Sequence, residues 1–313
     1  MIVTPALADA NNGNWQTAHR WAGMLKAAYR VRLAPAWEGG DEALMIALHA
    51  RRSAASVAAW RASGPQRPLL LVLTGTDLYR DIETDAAAQH SLACADALVV
   101  LNERGAEPLP AALRPKCRVL LQSCSAMRAL PKSPHRLRAL MVGHLRDEKD
   151  PRTYFAAARR LAARADIRLD HIGAALDAAL GDEASALAAG QSTYRWLGPL
   201  PHATTRRRIQ SAHVLVHPSR MEGGAHVVIE AIRSGTPVLA SRIDGNVGLL
   251  GADFAGLFEA GDAAALATLL EQARDDPAML PRLQRQIDSR AALFSPELER
   301  AALHRLVAER LDA

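Results

Sequence analysis

Glu222 and Glu230 stand with seven residues between them, and Gly223, Gly224 and Ala225 follow the first of the pair. The spacing predicts a helix over 227–234, with the glycines just ahead of it and Gly235 as its stop. Bare glycine backbone at a helix N-terminus suits an anion, because free N–H groups and the positive end of the dipole point the same way. On that helix His226, Glu230 and Arg233 share one polar face, and Val228, Ile229 and Ile232 share the apolar one. Two further polar segments also follow apolar runs. Thr74, Thr76, Asp77 and Arg80 lie in one, where Thr76 or Asp77 serves equally well as a helix N-cap. His49, Arg51 and Arg52 lie in the other, and the two arginines either receive an anionic substrate or are ordinary solvated side chains.

These segments need strands to carry them. Apolar runs predict strands over 2–5, 31–34, 43–48, 69–73, 97–101 and 118–121, then 139–142, 167–172, 194–197, 214–217, 237–240 and 256–258. Helical patterns fall between them, over 15–29, 53–63, 85–94, 151–165, 203–211, 227–234, 263–274, 279–293 and 296–311. The run 69–73 is apolar on both faces, as a strand buried inside a parallel sheet is. Strand–helix alternation at this spacing predicts α/β architecture: two doubly wound, Rossmann-like parallel-sheet domains. A length of 313 residues fits two domains. The prolines at 131 and 134 place the break, so that 1–132 and 137–294 form the domains and 296–313 is a last helix packing back on the first. Ligands of such sheets bind outside the carboxyl ends of the strands, and two such ends facing across a cleft would hold the site.

Composition narrows the classes. Apolar residues at 49% and charged residues at 23% describe a globular chain. The formal charge of +5 suits an anionic small molecule and is too diffuse for nucleic acid. No apolar run is long enough to span a bilayer, and no basic segment precedes 2–8, so a cytoplasmic protein without membrane attachment is expected. Cys94, Cys117 and Cys124 are odd in number and lack CxxC spacing, so they read as inert small hydrophobes. No His, Cys or carboxylate cluster has metal-ligand spacing, and no cofactor is expected.

The pair Glu222…Glu230 resembles the E-x7-E motif of family 4 glycosyltransferases, which have the GT-B fold. The segments 141–150, 196–200 and 214–219 resemble, in order, that family's first loop of the nucleotide-sugar domain, its base-binding strand end and the strand leading to the motif. The resemblance covers 139–260. It implies a UDP-sugar donor held by His144, Arg146, Lys149, Leu197, Leu200, Glu222, Gly223, Gly224, Ala225 and Glu230, with Gly13 and Asn14 contributing from a tight loop after the first strand. Lys149 would meet the diphosphate, Glu230 the ribose hydroxyls and Glu222 the donor sugar; Glu222, Lys149 and Asp77 are the catalytic candidates. The family usually has Arg at position 144 and Glu-Gly-Phe-Gly at 222–225. The loss of that aromatic and the addition of His226 imply an altered sugar pocket, or else His226 is a first-turn helix residue without a ligand role.

Segments 13–22, 47–53, 73–82, 142–151 and 241–250 together resemble one subfamily, the selenosugar synthases of selenoneine biosynthesis. That implies a second substrate, selenophosphate, received by His19, Arg51, Arg52, Thr74, Thr76 and Arg80, with Arg20 on the same rim. Selenium in selenophosphate is soft and already anionic, so no strong general base is required. An ordinary family 4 enzyme with an oxygen acceptor, and a silent nucleotide-sugar-binding protein, are the alternatives.

Overall fold

The computed structural model describes residues 1–5 and 13–312. The chain divides into two compact units. Unit 1 comprises Met1–Ser123, Glu222–His226 and Phe294–Ala313; unit 2 comprises Cys124–Met221 and Val227–Leu293. The division falls at Ser123, ahead of the prolines that mark the break in the sequence. The stretch from 124 to 132 has no regular secondary structure and is tied down within unit 2: Met127 N donates to Arg233 O at 2.9 Å, and Gln210 Nε2 to Arg128 O at 2.7 Å. Proline prevents a helix there but leaves the carbonyls free to accept.

Unit 1 is built on six parallel strands: β1 (Ile2–Val3), β2 (Leu33–Ala34), β3 (Met45–Leu48), β4 (Leu69–Leu73), β5 (Ala97–Val100) and β6 (Cys117–Val119). Their order is β2-β1-β3-β4-β5-β6. All five residues of β4 are buried because each face has its own cover. Leu69, Leu71 and Leu73 share a core with Val57, Trp60 and Leu92. Leu70 and Val72 share the other with Ala18, Trp21 and Leu303. Each leucine and valine among them contributes roughly 1.5–3 kcal/mol by leaving water.

The helix Pro296–Leu311 starts at an N-cap, Ser295, whose hydroxyl accepts from Leu298 N. It lies on the helix Gly13–Leu25 and puts Leu303, Leu306 and Val307 into the second core. Glu299 on this helix is buried and accepts from Arg20 Nε at 3.0 Å, Trp21 Nε1 at 2.7 Å and Ser123 N at 2.8 Å. These bonds occupy the lone pairs of a side chain that would otherwise be buried without partners.

Unit 2 repeats the design with β7 (Leu137–Val142), β8 (Ile167–Ile172), β9 (Tyr194–Trp196), β10 (Val214–His217), β11 (Val238–Ser241) and β12 (Leu257–Phe258), in the order β12-β11-β10-β7-β8-β9. Helices also form, in both units, where the sequence predicts none, and three are instructive. Ala178–Gly190 is helical although it is Ala-rich with little polarity contrast between its faces; Asp177 caps it by accepting from Leu180 N. Asp244–Leu250 is helical despite an Asn and two glycines, because nearly the whole segment is buried. The third is a π-helical turn, Asp77–Asp81, which runs into a short α-turn, Ile82–Thr84.

Candidate functional site

Both sheets reverse their strand order at one point, and a doubly wound sheet binds ligands at that point. In unit 2 it lies between β7 and β10, the pair joined at Val214–Ala139 and Val216–Met141. The segments leaving these two strands are laced together: Arg220 N donates to Glu148 O at 2.9 Å, and the Arg220 guanidinium pairs with Asp150 at 3.3 Å. Asp150 is buried, sits at a left-handed φ of 46°, and accepts from Thr153 Oγ1 at 2.7 Å. Left-handed backbone in a non-glycine residue is strained and persists only when its surroundings hold it. Neither Arg220 nor Asp150 was singled out in the sequence; an arginine three residues past an apolar strand was the only signal.

His144, Arg146 and Lys149 come together in the loop after β7. The backbone of that loop is fixed from below. His171 Nε2 donates to Gly143 O at 3.1 Å, and its Nδ1 accepts from Tyr194 Oη at 3.2 Å. Burial pushes the His171 ring down to about 4, so it stays neutral and keeps both roles. Gly143 and Gly173 approach so closely that a Cβ on Gly173 would lie 1.9 Å from Gly143 O. His144 Nδ1 accepts from Ala174 N at 3.1 Å, which leaves the proton on Nε2. Burial, then the Arg146 and Lys149 cations, hold this ring below the ordinary histidine range. The aliphatic stem of Lys149 runs along Gly143, within 3.5 Å of where a Cβ would stand. The result is one neutral N–H donor and two cations at the carboxyl end of β7.

Leu197 and Leu200 are half-buried beyond β9, where Leu197 N donates to His171 O at 2.8 Å and Gly173 N to Gly198 O at 2.9 Å. Gly198 takes a left-handed φ of 66°, the turn that brings this segment back toward the loops after β7 and β8. Glu230 is buried, and its Oε1 lies 2.6 Å from His202 Nε2. That bond raises the His202 ring above its usual range. The polar face expected for the helix here, His226–Ile232, is thus not solvated: Glu230 meets His202, and Arg233 donates to Cys124 O and Ala291 O. A groove of about 680 Å³ lies at the opposite end of this sheet, lined by Met127, Leu130, Lys132, Ile232, Pro237 and Leu280. None of the expected site residues lines it.

In unit 1 the switch point lies between β1 and β3. Residues 6–12, between β1 and the expected loop, lie outside the described residues. Gly13 and Asn14 are not loop but the first turn of the helix Gly13–Leu25, where Gly13 O accepts from Thr17 Oγ1 at 2.8 Å. After β3 and β4, Asp77 organises both segments. It is fully buried; its Oδ1 accepts from Thr74 N and Gly75 N, and its Oδ2 from Ala50 N, each at 2.9 Å. These bonds correct the expectation of a catalytic Asp77, because a carboxylate so engaged holds the loops and has no path to a substrate. Asp81 joins two of the expected cations, Arg51 at 2.9 Å and Arg80 at 3.2 Å. Arg52 is exposed beside them. His19 stacks on Trp15 with ring centroids 5.1 Å apart, and Arg20 is committed to Glu299, so Arg20 leaves the expected rim.

Glu222–His226 belongs to unit 1. A Cβ on Gly223 would fall 2.4 Å from Thr74 C and O, and one on Gly224 would fall 2.7 Å from Leu101 Cβ. Asn102 Nδ2 donates to Gly223 O at 2.8 Å. Ala225 is buried, and His226 Nε2 lies 3.1 Å from Ser123 O. The glycines therefore have a packing reason that needs no anion: backbone meets backbone here, and the helix that follows is only seven residues long. Among the described residues no group of three or more His, Cys, Asp or Glu side chains could hold a metal, and no helix is long and apolar enough to cross a membrane.

Residues 125–292, more than half of the chain, match the family model described as glycosyl transferases group 1. The chain belongs to this family. No curated protein matches the sequence. Solved structures share the fold. Anabaena Alr3699/HepE, crystallised with UDP-glucose, matches with a TM-score of 0.70 at 14% identity, over 85% of this chain and 79% of that one. Sucrose-phosphate synthase from Thermosynechococcus elongatus matches at 0.69 and 21% identity, over 85% and 73%. A point mutant of S. aureus TarM, in complex with fondaparinux, alpha-GlcNAc-glycerol and UDP, matches at 0.69 and 12% identity. That match covers 86% of this chain, which spans 55% of the length of TarM. Two six-stranded parallel sheets of Rossmann type make this group 1 glycosyltransferase a GT-B protein.

Proposed function

We propose that this group 1 glycosyltransferase takes a UDP-hexose, UDP-N-acetylglucosamine or UDP-glucose, and transfers the sugar to selenophosphate. The observation that carries the donor half is the convergence of His144, Arg146 and Lys149 at the switch point of unit 2, inside the stretch that matches the family. When the bond between the anomeric carbon and the diphosphate breaks, charge develops on the leaving oxygen. A preorganised ammonium, a guanidinium and an imidazole N–H meet that charge without reorganising. Within unit 2, Leu197 and Leu200 flank the base, and Glu230 accepts from the ribose alongside its bond to His202. The UDP-glucose bound by Alr3699/HepE supports this donor class.

The acceptor half rests on the resemblance of 47–53 and 73–82 to selenosugar synthases and on the cations gathered there. Arg51, Arg52 and Arg80, with Thr74 and Thr76, receive the selenophosphate, and His19 adds to them. Selenium attacks the anomeric carbon, UDP leaves, and water then cleaves the Se–P bond, so the products are a 1-selenosugar, UDP and phosphate. Because selenophosphate is already anionic, the reaction needs positioning more than a base.

Incubating the protein with each UDP-sugar, with and without selenophosphate, tests this. UDP release that depends on selenophosphate, with a product of selenosugar mass, is expected. Release only with an oxygen acceptor overturns the acceptor, and binding without turnover for any acceptor overturns the reaction.

A further inference from the structure

His49 has no role in the proposal above, yet it stands where unit 1 reverses its strand order. It directly follows β3, is 2% exposed, and adopts a left-handed φ of 72°. Among the described residues only His49 and Asp150 do so without being glycine, and each marks the switch point of its own sheet. A buried non-glycine residue at a left-handed φ is held there by its surroundings.

The neighbours decide the ring's tautomer. The backbone N–H of Arg52 points at His49 Nδ1 at 3.4 Å, so Nδ1 accepts. Asp77 Oδ2, 4.0 Å from Nδ1, and Asp81 Oδ2, 3.9 Å from Nε2, are both too distant to take a proton from the ring. Burial is the largest influence on the ring and favours its neutral form. The single ring proton therefore sits on Nε2 and is donated to Thr76 Oγ1 at 3.1 Å. A hydroxyl that accepts from a histidine keeps its own hydrogen for a different partner. Thr76 makes no capping bond to the helical turn that it precedes, and it is half-buried.

We propose that His49 is a positioning residue that orients the Thr76 hydroxyl so that its hydrogen is directed to an anionic acceptor, a phosphate or selenophosphate oxygen. The inference rests on the acceptor reading above and deepens it. Arg51 and Arg80 supply charge on the same rim but are tied to Asp81. Thr76 supplies direction.

Thr76→Val removes the donor and nearly preserves shape; Thr76→Ser retains the hydroxyl; His49→Asn tolerates the left-handed backbone and removes the ring. Thr76→Val and His49→Asn are each expected to raise KM for selenophosphate about tenfold, the loss of one hydrogen bond to a charged group. KM for the UDP-sugar stays within about twofold, Thr76→Ser restores the wild-type value, and the double variant is no worse than either single one. Nitrogen-15 shifts of the His49 ring should show Nε2–H. An unchanged acceptor KM in Thr76→Val, an equal rise in donor KM, or an Nδ1–H ring overturns the inference while leaving the reaction standing. If no acceptor turns over, the reaction fails by itself. Calorimetry with inorganic phosphate then decides the inference: weaker binding to Thr76→Val than to wild type supports it, and equal binding overturns it.

Discussion

The two units solve the same problem with different materials. Unit 2 gathers two cations, Arg146 and Lys149, beside a neutral imidazole, His144, over a backbone fixed by a second neutral histidine, His171. Unit 1 gathers cations around a carboxylate, with Asp81 between Arg51 and Arg80, and fixes its backbone with a buried carboxylate, Asp77. A sheet edge that must absorb new negative charge needs cations and N–H donors concentrated in one loop. One that only has to hold an anion in place can use pairs whose charge is partly compensated, and gains orientation instead. The strained residues follow the same division. Asp150 anchors Arg220 across the crevice of unit 2, whereas His49 aims a hydroxyl in unit 1.

Truncating the central cation of unit 2 should break this contrast most severely. Lys149→Ala is expected to lower kcat by a factor of about 10²–10³, the usual loss when one donor to a developing oxyanion is removed, with little change in melting temperature. The reverse pattern is expected in unit 1. Asp77→Ala leaves three backbone N–H groups, two of them buried, without an acceptor, so stability should fall by about 3 kcal/mol in a denaturant titration. Donor binding, read by UDP titration at a temperature where the variant is folded, should survive. If Asp77→Ala kept full stability and lost turnover instead, the assignment of Asp77 to the loops would be wrong.

Most of the scaffold was legible because buried parallel strands are short apolar runs, as 69–73 and 97–100 show. The helix Pro296–Leu311 was legible from its Ser-Pro start. What stayed hidden has physical causes. Asp244–Leu250 contains poor helix formers and folds through burial, which a single sequence does not display. The π-turn at Asp77–Asp81 has no sequence period of its own. At the sites, His144, Arg146 and Lys149 are named through the resemblance of 141–150 to the family, and only their placement in one loop is visible in the sequence itself. The partners of Asp77, Glu230 and Glu299 come from distant segments, so spacing could not reveal that these three carboxylates are already engaged. Gly223 and Gly224 look like an anion cradle in the sequence, but close packing against Thr74 and Leu101 is enough to require them.

Diffraction from crystals soaked with UDP tests the central claim most directly. The diphosphate should lie within hydrogen-bond distance of Lys149 Nζ and His144 Nε2, at the carboxyl ends of β7 and β10. Density for the nucleotide against Arg51, Thr76 and Arg80, with the loop after β7 empty, would contradict it.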